Sequence, residues 1–179
     1  DDIAAARTVA SLLVKHSHRE IAVIGGDTAV SEISRNRLRG CELAVAGSET
    51  RIASYQVARF SFDGGYRAME KILADRGEIT AVFAMADVMA LGAMRCIRDH
   101  GLRIPEDISV AGFDGLPYGQ YFIPRLTTVA QSAVALAETS YRVLREQIAT
   151  GRTRHISVPF SLTAGSSVGP VPAPAEKAE

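Results

Sequence analysis

The sequence predicts an α/β fold, a parallel sheet with helices on both faces. Three observations carry this. Short continuous apolar runs recur along the chain, each ending in glycine or aspartate. Stretches of helical periodicity separate them. The 179 residues, 47% of them hydrophobic, are enough for one well-filled core.

Taken in order, residues 3–16 place Ile3, Ala6, Ala10, Leu13 and Val14 on one helical face, with Asp1 or Asp2 as N-cap. EIAVIGG at 20–26 reads as a buried strand entering a tight turn, and a helix is expected from about 30 to 46. VARFSF at 57–62 predicts the next strand, with Asp63 capping a helix to about 76. TAVFAMA at 80–86 is a second buried strand. Asp87 then caps a helix that Gly101 closes. ISVAGFD at 108–114 is a third buried strand. After it, the Gly-, Pro- and aromatic-rich residues 115–125 read as an irregular loop. LTTVAQ at 126–131 is a strand or an extended crossover. A long helix follows at 132–150, closed by Gly151, and HISVPFSL at 155–162 is strand-like. From Gly165 onward the Gly, Ser, Pro and Ala text is expected to be loose.

Composition excludes several functions. With 20 basic and 20 acidic side chains the net charge is zero, without the basic excess of a nucleic-acid module. No apolar run reaches the ~20 residues that span a bilayer, so no membrane association is expected. Cys41 and Cys96 form no C-x-x-C pair and read as small buried hydrophobes in a reducing compartment. The four histidines show no zinc spacing, so neither a metal nor another cofactor is expected. Gly25-Gly26 lacks the dinucleotide fingerprint and no P-loop lysine follows. There is no G-x-S-x-G elbow either, which leaves no support for an enzyme. The chain opens on Asp1-Asp2 rather than Met, which suggests a piece of a longer polypeptide.

Open parallel sheets bind ligands beyond the carboxyl ends of their strands. That edge collects Gly25 to Asp27, Phe60 to Asp63, Ala86-Asp87 and Asp114-Gly115, with Arg37 one or two turns into the helix after the first. Carboxylates, a guanidinium and an aromatic ring suit a small polyhydroxylated or heterocyclic ligand. Each residue has a plainer alternative: Asp87 and Ala86 as a helix cap or as support behind the side chains that touch ligand, Asp63 as a cap, Phe60 as core, Arg37 as a solvated charge. Asp114 is harder to explain structurally, because Gly115-Leu116-Pro117 starts no helix.

The run TAVFAMADVMALGAMRCIRDHGLRIPEDISVAGFDG with the downstream IPRLTTVAQ resembles the effector-binding core of LacI-type bacterial transcription regulators. So do HREIAVIGG and the R-x-R-x-x-G of Arg35 to Gly40. The resemblance implies a type I periplasmic-binding-protein-like fold of two lobes with effector held between them. Residues 1–126 would form the C-terminal lobe. Residues 127–160 would be a crossover, helix and strand belonging to the N-terminal lobe. Residues 161–169 would return to the C-terminal lobe, and 170–179 would be a flexible tail. The helical face of Val134, Ala137, Tyr141, Leu144 and Ile148 would then want a partner, since bare apolar surface costs about 25 cal/mol per Å².

The same resemblance maps effector contacts onto Arg37, Phe60 and Asp114, with Gln131 at a lobe crossover. It places Leu91 and Phe122 at a homodimer interface, core packing being the alternative for Leu91. Two departures stand out: Ala86 where the family usually has Asn, and Gly115 where a second Asp is common. They predict a roomier, less polar pocket. The implied function is a cytoplasmic ligand sensor that reaches DNA only through an N-terminal helix-turn-helix outside this chain. The alternative is a periplasmic solute receptor for uptake.

Overall fold

The computed structural model describes residues 1–75 and 77–171. Six strands form one sheet: β1 (Glu20–Gly25), β2 (Arg51–Val57), β3 (Ala81–Ala84), β4 (Ser109–Asp114), β5 (Thr127–Gln131) and β6 (Phe160–Thr163). Their order is β2-β1-β3-β4-β5-β6, parallel except for β6, which runs antiparallel to β5. The helices are α1 (Asp2–Lys15), α2 (Glu32–Val45), α3 (Phe62–Ala74), α4 (Asp87–Asp99) and α5 (Ala133–Thr150).

The two-residue period of the strands divides the apolar runs between two cores. Ile21, Val23, Phe83, Ala111 and Phe113 pack with Ala6, Val9, Ala10 and Leu13 of α1 and Cys41 of α2. Ala22, Ile24, Val82, Ala84 and Val110 point the other way, onto Met69 and Ile72 of α3 and Met89, Ala93 and Ile97 of α4. Helices therefore cover both faces, as expected. Helices α3 and α4 touch through glycines. Gly65 lies against the Met89 carbonyl and Gly92 against that of Phe62, where any Cβ would meet backbone.

The structure corrects several expectations. The second strand is Arg51–Val57, not 57–62. The Ser61 hydroxyl accepts from the Gly64 amide at 3.0 Å and starts α3, so Ser61 is the cap and Asp63 lies in the first turn. Asp87 is not a cap: the N-cap of α4 is Ala86, which has no side-chain capping bond. Thr127–Gln131 is a strand of this sheet, so the crossover placed at 127 leaves the sheet only after Gln131. The strand-like text at 155–159 forms no strand. The strand nearby is Phe160–Thr163, paired to β5 rather than orphaned. Gly165 to Val171 is anchored, not loose. Ser167 is fully buried, and the Val171 amide donates to the His16 carbonyl at 3.0 Å. The tail expected to be flexible lies, from residue 172 on, outside the described residues.

Helix α5 stands apart. It has an N-cap in Ser132 and a left-handed C-cap in Gly151 (φ 71°), but no buried residue. Val134, Leu136, Tyr141, Leu144 and Ile148 are all exposed, the last by 78%.

Candidate functional site

The carboxyl ends of β3 and β4 meet the start of α1 at Arg37. This residue sits on the buried side of α2 and is 7% exposed, which excludes a solvated helix charge. Its guanidinium lies 3.7 Å from the centroid of the Phe113 ring, a cation–π arrangement. Nε donates to Asp2 Oδ1 at 2.7 Å, and Nη1 donates to the Met85 carbonyl and lies 3.6 Å from Asp114 Oδ1. Three elements thus fix the guanidinium: the start of α1, the end of β3 and the end of β4.

Asp114 ends β4 with φ 120°, a conformation that costs a non-glycine residue of order 1–3 kcal/mol. Its carboxyl is pushed upward from the ordinary carboxylate range mainly by burial, against which Arg37 and the Asp87 amide pull it down. The side chain is still 34% exposed. Burial likewise pushes Asp87 up to about 6, opposed by its bonds from Thr128 and Leu116. Asp87 itself is fully buried.

Phe60 lies on the same edge but in a different place. Its half-exposed ring packs over Gly26, beside the Ser34 hydroxyl, one helical turn before Arg37. The aromatic ring beneath the guanidinium is Phe113, which sequence reasoning missed, as it missed Asp2 and Met85. Tyr55 was missed too. Its hydroxyl donates to the Gly26 carbonyl and closes the β1 turn, and burial raises it to about 12. Gln131, exposed at the end of β5, borders a narrow hollow with Asp2, Phe113 and Phe160. Ala86 is buried at the head of α4. The structure therefore brings Arg37, Asp114 and Asp2 together, with Gln131 adjoining through Asp2 and Phe113, and Phe60 flanking them.

Leu91 and Phe122 lie elsewhere. Leu91 is 1% exposed and belongs to the core, though it also floors an open groove of about 380 Å³ lined by Phe62, Tyr66, Arg95 and Phe122. Tyr121 and Ile123 beside it are 85% and 78% exposed. Among the described residues, no cluster of three or more His, Cys, Asp or Glu side chains could hold a metal. Nor is any described helix long and apolar enough to cross a membrane.

The periplasmic-binding-protein-like domain model matches residues 10–168. The chain is 36% identical over 148 residues to the HTH-type transcriptional repressor PurR of Escherichia fergusonii, covering 82% of this chain and 43% of that protein. The PurR of Erwinia tasmaniensis is 38% identical over 146 residues, or 78% of this chain and 41% of that protein. The chain thus spans less than half the length of these relatives. Among solved structures, a dimeric Lac repressor with an 11-residue C-terminal deletion superposes with TM-score 0.88 at 29% identity, covering 97% of this chain and 63% of that one. A LacI family transcriptional regulator from Enterococcus faecium, with bound ribose, gives 0.87 at 27% identity, over 96% and 64% of the two chains.

Proposed function

The chain belongs to the periplasmic-binding-protein-like domain family, the effector-binding core of LacI- and PurR-type regulators, and from that premise we propose that it senses a small polar effector for a transcription regulator. The observation that carries this is Arg37, clamped over Phe113 between Asp2 and Asp114 at the strand ends. A buried guanidinium with partly exposed carboxylates beside it offers paired hydrogen bonds to adjacent hydroxyls. Phe60 supplies an apolar ring face at the rim, and Gln131 marks where the chain leaves the sheet toward α5. A sugar or related polyol fits this chemistry. One Enterococcus faecium relative holds ribose, and a CelR regulator that superposes on this chain holds cellobiose.

In this reading α5 covers a second, N-terminal lobe, and effector closes the two lobes on each other. The lobe angle then changes how DNA-binding heads outside this chain are presented, a coupling free energy between cleft and operator. The regulator works in the cytoplasm as a homodimer, with Phe122 and the groove above Leu91 as its contact surface. The chemistry is binding, not turnover.

The test is a thermal-shift screen of the full-length protein against sugars, sugar phosphates and nucleobases, since a ligand of the native state raises its apparent stability. A hit whose shift disappears in both Arg37→Ala and Asp114→Ala supports the site. A shift surviving in both overturns it. A secretory signal upstream would instead favour a solute receptor, and a helix-turn-helix pattern the regulator.

A further inference from the structure

Asp87 opens α4, but its side chain reaches across to two other segments. Oδ1 accepts from the Thr128 hydroxyl of β5 at 2.6 Å, and Oδ2 accepts from the Leu116 amide, just past β4, also at 2.6 Å. The Gly115 amide reaches the same Thr128 hydroxyl at 3.4 Å and helps stabilise the Asp87 carboxylate. Behind Oδ1 lies Gly112 of β4, where a Cβ would collide with it. A fully buried carboxylate thus sits among donors from the backbone just after Asp114 and from β5 beside it, with no cation among its hydrogen-bond partners in the described residues.

Asp114 needs such a brace. A backbone at φ 120° persists only where its surroundings over-determine it. The Arg37 ion pair, at 3.6 Å, acts on the side chain and does not restrain the turn. The amides that follow Asp114 are held by Asp87 and Thr128. We propose that Asp87 is a positioning residue for effector binding, gripping Leu116 and Thr128 so that the strained turn presents Asp114 to the cleft. This rests on the effector-binding reading above.

The test uses hydrogen–deuterium exchange on the full-length protein, following residues 113–120 with residues 20–25 as an internal control. Asp87→Ala removes the grip and is expected to speed exchange at 113–120 about tenfold, with 20–25 unchanged. Asp87→Asn can keep it, its oxygen accepting from Leu116 and its amide donating to the Thr128 oxygen, and is expected to stay within about threefold of wild type. Exchange at 113–120 unaltered in Asp87→Ala, or as fast in Asp87→Asn as in Asp87→Ala, overturns the proposal. Should Asp87→Ala fail to fold, Thr128→Val against Thr128→Ser asks the same question: valine speeds exchange and serine restores it, and an unchanged valine variant overturns the proposal. The shift given by a stabilising panel sugar should fall in Asp87→Ala and survive in Asp87→Asn; its full survival in a loosened Asp87→Ala also overturns the role. Failure of the effector reading looks different: 113–120 loosens in Asp87→Ala, yet no panel compound shifts wild type.

Discussion

The two ends of the same sheet use similar polar residues to opposite effect. At the amino ends of the strands the buried polar side chains close on one another or on backbone. His18 is fully buried, with Nδ1 2.8 Å from the Thr80 hydroxyl and Nε2 3.0 Å from the Gly169 carbonyl. Ser167 accepts from the Thr127 amide at 2.9 Å and donates to the Val110 carbonyl at 2.6 Å. Ser109 accepts from the Gly169 amide at 3.0 Å. A neutral imidazole satisfies both of its partners there, and burial lowers its proton affinity further. At the carboxyl ends the charges stay partly open to water and the backbone of Asp114 is strained. One end ties down the C-terminal segment; the other is the end proposed above to take a guest. The two ends differ in exposure: the amino-end groups are buried among their partners, while Asp2 and Asp114 keep carboxylate surface open to water.

The sharpest way to break this contrast is His18→Ala. It deletes a buried ring and two hydrogen bonds and should cost about 2–4 kcal/mol, read as a urea midpoint, with the thermal shift from any effector hit intact. Loss of the shift together with small destabilisation would reverse the roles of the two ends. Ser167→Ala should cost somewhat less, about 1–3 kcal/mol, because it strands the buried Thr127 amide.

The pH dependence of stability separates the ends by sign. His18 is lowered from its ordinary 6.5, so below that pH the unfolded chain takes a proton that the folded one refuses, and stability falls as pH falls. Asp87, raised from 3.8 to about 6, does the reverse: between those values the folded chain holds the extra proton, and stability rises as pH falls. His18→Gln should therefore flatten the loss of stability just below pH 6.5, and Asp87→Asn should steepen it between about 4 and 6 by removing the opposing slope. Matching slopes in the two variants would refute the assignment. The smallest effect is expected from Asp114→Gly, which relieves the φ 120° backbone and changes stability by less than about 1 kcal/mol while abolishing the effector shift.

The sequence made β1, β3 and β4 legible because strands buried on both faces are continuous apolar runs, and their ends located the candidate edge. It misled at β2, an edge strand whose RIASYQV text is only half-buried, so the more aromatic VARFSF beside it looked the better strand. Arg37 and a solvated arginine are indistinguishable by composition; its burial depends on Asp2, Phe113 and Met85, all distant in the chain. Phe113 was hidden inside an apolar run, and Asp2 behind a capping alternative. Of the two readings of Asp87, cap or support behind the ligand contacts, the cap fails because Thr128 and Leu116 take both carboxylate oxygens. The residues after Gly165 resemble a loose terminus by composition. Their order comes from unpaired backbone groups at the strand starts, which a local pattern does not reveal.

One feature of the sheet bears on motion. Strand β5 leaves and β6 returns side by side, paired from Gln131 with Phe160 through Thr128 with Thr163. On the proposed two-lobed reading, a second body would be joined to this sheet by two chain crossings held together at Gln131 and Phe160, so that the two must move as a pair.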